Sequence, residues 1–449
     1  MGQKRNRSTV ELLQEFSLPL IAGVFVAMAF ANFNCVAYES VVHTPIYELP
    51  AQLFSSHNDM IDEHLSHLHA TNGVEHFFTL HFLINDIFMV LFFGIAAKEI
   101  TEACLPGGSL NPISKAINPL LATVGGVVGP VGVFFLLNAI MGQPAWINGW
   151  GIPTATDIAL AWLVGRFIFG KGHPAVSFLL LLAVADDAIG LAIIALAYPD
   201  PSHPTIWANA LWIVPGMLVA LILRVRNVQS WIPYIAIGGS LAWWGLYSAH
   251  LHPALALVFI VPFLPGPKRD YGLFEEETDF DESEQVAHAH GGHAHSPLER
   301  FEHQLKLPVD FGLFLFAFVN AGVPLSGITS LTWIVLLSLL IGKTAGITAF
   351  SMLGERLGCP LPQGMNRRQL VVAAMIAGIG LTVALFVSAQ AFADAGIQGA
   401  AKMGALFSGA IAGVAILSSY LLGVKKASSI TQPAPIEVPL GTKHTVASN

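Results

Sequence analysis

Long apolar stretches alternate with short polar loops along almost the whole chain. Each stretch is close to the about 20 residues that an α-helix needs to cross the hydrocarbon core of a bilayer. We therefore predict an all-α polytopic membrane protein with twelve transmembrane helices: 16–38, 76–101, 119–141, 153–169, 174–198, 205–225, 231–248, 250–265, 309–326, 330–353, 369–393 and 403–424.

The positive charges indicate how these spans are oriented. Of the 21 lysines and arginines, only Lys343 and Lys402 do not fall on one common side of the predicted membrane. Basic residues concentrate on the cytoplasmic side of membrane proteins. The pattern predicts that both termini are cytoplasmic.

The composition narrows the class further. The chain is 54% hydrophobic and 11% charged, whereas soluble domains carry about 25% charged residues. Its three cysteines are widely spaced, which excludes a disulfide framework and a thiolate metal site. A net charge of −8 gives no basic patch for nucleic acid. We expect no nucleic-acid partner and no cofactor.

The polar segments divide the chain simply. We predict one transmembrane domain over residues 1–426, with a cytoplasmic insertion at 266–308 that is first acidic and then rich in histidine. A long outer loop covers 39–75. Residues 427–449 are polar, and we expect them to form a disordered cytoplasmic tail.

Two adjacent carboxylates occupy the middle of the apolar stretch 174–198. They are Asp186 and Asp187. A single charge at that depth costs about 3 kcal/mol on insertion scales, and two neighbouring carboxylates also repel each other. Such a pair persists if it holds protons, binds a cation, or does both in turn. It therefore predicts an ion carrier.

Two other spans contain breaks in their apolar pattern. Thr156 and Asp157 interrupt the fourth span, and Gly378, Gly380 and Thr382 interrupt the eleventh. Kinked packing helices would explain both. Interrupted segments in corresponding positions of two halves are also the sequence pointer to a transporter site. We favour the second interpretation.

Further charged residues lie within or at the ends of spans. Lys343 is deep in the tenth span, where it must lose its proton or pair with a carboxylate, either permanently or in one state of a transport cycle. Asp86 and Glu99 lie thirteen residues apart in the second span, about 20 Å along a helix. Both could line an inner cavity, although Glu99 beside Lys98 also fits an ordinary interfacial pair.

The motifs around these residues resemble those of the bacterial NhaA-type sodium/proton antiporters. The resemblance covers roughly residues 10 to 425 and rests on six motifs: LINDIFMVLFF (83–93), GWGIPTATDIALA (149–161), LLAVADDAIGLAIIAL (181–196), FAFVNAGVPLSG (316–327), LLIGKTAGI (339–347) and AGIGLTVALFVS (377–388). It implies inverted repeats formed by spans three to five and ten to twelve. It also implies that the broken fourth and eleventh helices cross.

The same resemblance implies roles for individual residues. Asp187 would be the main carrier of sodium and protons, and Asp186 would pair with Lys343 in one state. Asp157 and Thr156 would lie at the crossing of the broken helices. Asp86 and Glu99 would shape a cytoplasmic funnel.

These roles imply a secondary transporter rather than an enzyme. It would exchange cytoplasmic sodium for external protons, electrogenically and driven by the proton motive force, for sodium and pH homeostasis. The resemblance implies a homodimer in the bacterial inner membrane and leaves lithium open as a second cation. Sodium is a hard cation that prefers oxygen ligands, so the site would lie at Asp186 and Asp187.

Two other functions fit parts of the sequence. A transition-metal/proton transporter would use the imidazoles of the cytoplasmic loop, at His288, His290, His293 and His295. None of these histidines is in a span near the aspartate pair. An intramembrane aspartyl protease would pair Asp157 with Asp187. Lys343, the number of spans and the lack of a GxGD motif argue against it.

Overall fold

The computed structural model describes residues 17–48, 78–106, 108–111, 113–170, 172–199, 204–266 and 296–424. In these ranges the regular secondary structure is helical, apart from one isolated β-bridge between Pro45 and Thr79. The predicted helical class is therefore confirmed. The four loop histidines, the tail 427–449 and most of the outer loop lie outside the described residues.

We number the principal helices of these ranges in chain order. They are α1 Leu18–Phe33, α2 Cys35–His43, α3 Leu80–Cys104, α4 Ile113–Met141, α5 Ile158–Phe169, α6 Pro174–Ala197, α7 Trp207–Val225, α8 Ser240–Ser248, α9 Pro297–Asn320, α10 Ser330–Arg356, α11 Arg367–Ile376, α12 Leu381–Ala391 and α13 Ala395–Leu421. Two 3₁₀ segments, Pro144–Thr154 and Pro253–Phe263, complete the set.

Half of the predicted number of spans is matched by single long apolar helices. In the described part of the chain, α3, α4, α6, α7, α10 and α13 are each long and apolar enough to cross a membrane. Eight spans result if the two bent pairs, the 3₁₀ segment with α5 and α11 with α12, each count as one. The count of twelve remains a prediction.

Several predicted boundaries differ from the structure. The helices of the third, fourth and twelfth spans begin at Ile113, Pro144 and Ala395 rather than at residues 119, 153 and 403. The first span is interrupted at Asn34, whose side chain caps α2 by accepting a hydrogen bond from the Ala37 N–H. The helix that contains most of the predicted ninth span begins at Pro297 rather than at residue 309. Ser296 and Glu299 form a capping box there, and this start signal stabilises a longer helix. Residues 297–308 are thus helical instead of belonging to the predicted loop.

The helices pack as two bundles. The site bundle comprises α4 to α6 and α10 to α13 together with the 3₁₀ segment Pro144–Thr154. The flanking bundle comprises α1 to α3, α7 to α9 and the 3₁₀ segment Pro253–Phe263. The bundles meet where α6 contacts α3 and where α9 contacts α12. The predicted aspartate pair therefore lies in the site bundle, on α6, which contacts α3 of the flanking bundle.

A close crossing of α4 and α10 organises the site bundle. A Cβ atom built at Gly125 would overlap the carbonyl oxygen of Gly346, and one built at Gly129 would lie 2.8 Å from the Gly346 Cα. Gly342 packs in the same way against the backbone of Pro130. Only glycine permits backbones to approach this closely. The crossing fixes the position of Lys343, which follows Gly342.

Candidate functional site

The two interrupted segments cross in the site bundle. The 3₁₀ segment Pro144–Thr154 and α5 form a 55° bend, and α11 and α12 form a 48° bend. The non-helical segments between the half-helices are in contact: the Asp157 N–H donates a 2.7 Å hydrogen bond to the Ile379 carbonyl. Both interruptions predicted from the sequence are therefore found in the structure, and they lie against each other.

Glycine makes this crossing possible on the α11–α12 side. A Cβ atom at Gly378 would lie 2.7 Å from the Leu339 carbonyl oxygen, and one at Gly380 would lie 3.0 Å from the Ala155 carbonyl oxygen. A larger residue at Gly380 would push the two broken segments apart, and one at Gly378 would push α11 away from α10. Of the glycines identified in the sequence, Gly380 thus serves the close approach of the two breaks.

Asp157 joins the starts of two half-helices. Its Oδ1 accepts the Leu160 N–H at 3.1 Å and so caps α5. Its Oδ2 accepts from Thr382, from the hydroxyl at 3.0 Å and the backbone N–H at 3.3 Å, at the start of α12. Helix N-termini carry partial positive charge. A carboxylate between two of them is compensated without a basic residue.

Asp186 is held by a lysine and a threonine. The Lys343 Nζ donates to the Asp186 Oδ2 at 2.8 Å, and both side chains are fully buried. The Thr156 hydroxyl accepts from Lys343 at 2.5 Å and lies 2.8 Å from the same carboxylate oxygen, to which it can donate. A π-helical turn, Ser338–Gly342, precedes Lys343, as is frequent at functional sites.

Asp187 differs from its neighbour because it has no such partner. Its side chain is 8% exposed, and its Oδ1 is buried without a hydrogen bond among the described residues, as is the Oδ1 of Asp186. Asp187 borders a small cavity between the bundles, lined also by Phe93, Ala96, Leu191 and Val383. Unmatched buried acceptors are rare in proteins. These oxygens are suited to a proton or a small cation.

Two negative charges and one positive charge act on Asp187. Asp186 and Asp157 both act on it, and Lys343 is the one cation in the described ranges that opposes them. Like charges disfavour the ionised form of a carboxylate, and a bound cation relieves them. Protonated and cation-bound states of Asp187 are therefore the two ways to neutralise this position.

The structure places Asp86 and Glu99 away from this centre. Asp86 is half-buried in the π-helical turn at the start of α3, where its backbone carbonyl accepts from the Trp243 indole. Glu99 is near the other end of α3, 3.4 Å from Lys98. Neither is among the charges that act on Asp186 or Asp187. Their assignment to a funnel stays a prediction.

Sequence reasoning missed most of the cluster around Lys98. The Lys98 Nζ is 2.6 Å from Glu102 and also contacts Glu302 on α9. The spacing of Lys98 and Glu102, four residues apart in a helix, was a usable signal. Nothing in the sequence pointed to Glu302, which lies two hundred positions further on.

Two buried amide contacts were also missed. Asn320 on α9 donates to the Asn85 side-chain oxygen at 2.9 Å, within the flanking bundle. At the starts of α6 and α11, the His173 Nε2 lies 3.0 Å from the Gln369 side chain, while the His173 Nδ1 accepts the Ala175 N–H. Burial lowers the pKa of His173.

Known proteins are similar in sequence to this chain over nearly its whole length. Residues 11–421 match the protein family described as Na+/H+ antiporter 1. The chain is 53% identical over 423 residues to the Na(+)/H(+) antiporter NhaA of Geobacter metallireducens, covering 94% of this chain and 99% of that relative. The corresponding protein of Jannaschia sp. is 41% identical over 433 residues, covering 92% and 97%.

A solved structure resembles the fold at low sequence identity. It is the sodium proton antiporter MjNhaP1 from Methanocaldococcus jannaschii at pH 8, with a TM-score of 0.50 and 13% identity. The match covers 92% of this chain and 100% of that one. The helical architecture is therefore shared between distant sequences.

Proposed function

Because this chain belongs to the Na+/H+ antiporter 1 family, we propose that it exchanges cytoplasmic sodium ions for external protons across the bacterial inner membrane. The observation that carries this proposal is the state of Asp187. It is a buried carboxylate with an unmatched oxygen, beside a cavity and next to a lysine-bound aspartate. Sodium and protons are the cargo that such a group can hold in turn.

Competition for the same oxygens accounts for the exchange. A carboxylate binds sodium only when it is deprotonated, and sodium prefers oxygen ligands. A proton on Asp187 and a sodium ion against it therefore exclude each other. If the site opens to one side of the membrane at a time, the inward movement of protons drives the outward movement of sodium.

Lys343 supplies the reason to expect electrogenic exchange. A sodium ion bound near Asp186 would place a second positive charge beside the ammonium group of Lys343. Like charges at that distance disfavour each other, so Lys343 releases its proton when sodium binds. The site then exchanges more protons than sodium ions, and the membrane potential contributes about 2.3 kcal/mol per charge per 100 mV.

The architecture proposed around this site follows the same family. We propose twelve spans with both termini in the cytoplasm, inverted repeats of spans three to five and ten to twelve, and a homodimer that acts as a transporter rather than an enzyme. Movement of the site bundle against the flanking bundle would provide alternating access. No group of three or more potential metal-ligating side chains occurs in the described ranges, and the transition-metal alternative gains no support.

Reconstitution tests the proposal directly. We expect purified protein in proteoliposomes to move protons when sodium is added, at a rate that depends on the imposed voltage. Lithium, potassium and zinc are added in parallel to define selectivity. Asp187→Asn should abolish exchange at every pH. Asp394→Asn is the matched control, because Asp394 is an exposed acid that caps α13 and asparagine caps equally well.

The outcomes separate the alternatives. Undiminished sodium exchange in Asp187→Asn would remove the central assignment. Proton movement driven by zinc but not by sodium would favour a metal transporter. Sodium exchange without any voltage dependence would leave antiport intact and refute the electrogenic mechanism.

A further inference from the structure

A buried serine on α13 contacts the break between α11 and α12. Ser408 is fully buried, and its Oγ accepts the Gly380 N–H at 3.2 Å. The same hydroxyl donates to the Ala405 carbonyl of its own helix at 2.6 Å. The serine therefore uses its proton within α13 and its oxygen to hold the backbone of the broken segment.

The Gly380 N–H needs such an acceptor because of its place in the fold. Gly380 precedes α12, and its carbonyl accepts the Ala384 N–H at 3.1 Å, which starts the hydrogen bonding of that helix. The N–H groups at a helix start have no acceptor within the helix. A buried donor without a partner is costly. Ser408 supplies the missing acceptor from the neighbouring helix.

The backbone of α13 changes locally at this serine. The helix Ala395–Leu421 tightens to a 3₁₀ turn over Ser408–Ala410. Such a stretch inside a longer helix often marks a functional position. In the described part of the chain, no atom lies within 4 Å of a methyl group added at Gly409. Close packing at Gly409 therefore does not account for the turn.

The first turn of α12 also carries the contact to the other broken segment. Thr382, two residues after Gly380, donates to the Asp157 Oδ2 from its hydroxyl and from its backbone N–H. Ser408 thus holds one end of the stretch 380–382, and Asp157 holds the other end. A change at Ser408 reaches the crossing of the two breaks through this short stretch.

The two halves of the site bundle place different residues beside their breaks. In the proposed inverted repeat α13 corresponds to α6, and SGAI (408–411) then corresponds to DDAI (186–189). The first aspartate contacts the first break through Thr156, as the serine contacts the second break through Gly380. The second half therefore has a neutral hydroxyl where the first half has a carboxylate, and it supports its break without adding a charge.

We propose that Ser408 is a positioning residue for the ion site, because it fixes the start of α12 where Thr382 meets Asp157. The inference rests on the proposed function, in which the crossing of the broken helices forms part of the ion site. Ser408 acts through the Gly380 backbone and is not itself an ion ligand. Without its hydroxyl, the crossing is correctly ordered in a smaller fraction of the molecules.

Transport kinetics in proteoliposomes test this role. Ser408→Ala should raise the sodium KM about fivefold and leave kcat within about twofold, because apparent affinity falls with the fraction of protein that is competent to bind. Ser408→Thr keeps the hydroxyl and should stay within about twofold of the wild type. Ser388→Ala is the matched control, because Ser388 is fully buried on α12 and its hydroxyl donates to the Ala384 carbonyl of its own helix.

Two further measurements separate this role from general packing. Since Ser408 and Thr382 act on the same stretch, Ser408→Ala combined with Thr382→Val should raise the sodium KM no more than Thr382→Val alone. Hydrogen exchange is measured by mass spectrometry on a peptide that spans 377–384. Its slowest amides should exchange about tenfold faster in Ser408→Ala than in the wild type or in Ser388→Ala.

The outcomes decide for or against the serine. The proposal is overturned by an unchanged KM in Ser408→Ala, by increases in KM that multiply in the double variant, or by a Ser408→Thr variant as impaired as Ser408→Ala. Where Ser408→Ala does not fold, Ser408→Cys takes its place, because a thiol is a weak acceptor. A raised KM in Ser408→Cys then supports the role, and a wild-type KM overturns it. Absence of sodium exchange in the wild type would refute the proposed function, whereas hydrogen exchange over 377–384 would still test the contact of Ser408 with Gly380.

Discussion

The charges of two buried lysines, Lys343 and Lys98, are compensated in different ways. Lys343 is fully buried in the site bundle and contacts one carboxylate, that of Asp186. Lys98 is 2% exposed at the end of α3 in the flanking bundle. Three carboxylates surround it: Glu99, Glu102 and Glu302. Both clusters hold more acids than bases.

The difference lies in which acids remain unmatched. All three glutamates near Lys98 lie within 4 Å of its amine, and Glu302 ties α9 to α3. Near Lys343, the adjacent Asp187 has a buried oxygen with no partner in the described ranges, beside a cavity. On the proposed function, an unmatched acceptor at a cavity, rather than an excess of negative charge, distinguishes the ion site from a cluster that joins helices.

Removing each lysine in turn should affect transport more than any other change in these two clusters. Lys343→Ala should lower the exchange rate about tenfold or more, because it leaves Asp186 buried without its cation, while some exchange persists. We also expect its dependence on membrane potential to change. Lys98→Ala should retain the voltage dependence of the wild type. Initial rates in proteoliposomes with clamped potentials measure both effects.

The opposite result would contradict this assignment. If the voltage dependence changes in Lys98→Ala but not in Lys343→Ala, the two clusters have the reverse roles. Thermal unfolding of both purified variants shows whether reduced rates reflect a smaller folded fraction.

The glycine crossing offers a second, smaller effect, which acts on Lys343 without changing it. Gly346→Ala places a methyl group against the backbone of α4, so α10 must move and carry Lys343 away from Asp186. We expect about a fivefold loss of exchange, which corresponds to about 1 kcal/mol, and a shifted pH profile, because the position of Lys343 relative to Asp186 changes. Gly132→Ala, on α4 with nothing within 4 Å of its added methyl group, is the control.

Equal activity in Gly346→Ala and Gly132→Ala would show that the crossing does not position Lys343. A loss of activity in Gly346→Ala with an unchanged pH profile would indicate a general packing defect instead.

The sequence predicted much of the Lys343 region because each signal there is local. Two aspartates in an apolar helix, a lysine in another and two breaks in the helical pattern stand out against their own surroundings. Depth in the membrane makes every polar residue conspicuous. The pairing of Lys343 with Asp186 rather than Asp187 came from the family resemblance and depends on helix rotation, which periodicity alone did not give.

The Lys98 region could not be predicted in the same way. Glu302 reaches Lys98 only because α9 begins at Pro297 and lies along α3, and the capping signal at Ser296 was overlooked within a polar segment. The contact of Asn85 with Asn320 is likewise long-range. Such contacts depend on how helices pack, and no short sequence motif records them.

Stability, rather than transport, should reveal the role of the Lys98 cluster. Lys98→Met leaves three neighbouring glutamates without their cation, and breaking a buried ion pair costs about 3–5 kcal/mol. We expect the Tm in detergent to fall by about 10 °C at pH 8. An unchanged Tm in Lys98→Met would mean that this ion cluster does not stabilise the contact of α9 with α3.

We expect a smaller effect at His173, a buried base whose described side-chain partner is an amide, Gln369, instead of a carboxylate. Burial lowers the pKa of His173 in the folded state, so the unfolded chain binds more protons. Stability from the neutral ring is therefore complete above the unfolded pKa of about 6.5 and is lost as the pH falls through the folded pKa. His173→Gln cannot be protonated, so its Tm should decline less than that of the wild type between pH 7 and pH 5, by a difference below about 4 °C. The contrary result would be a wild-type Tm that rises on acidification, with a flat profile in His173→Gln. It would show that the folded protein stabilises the charged ring. A buried base would then stay charged without a neighbouring acid.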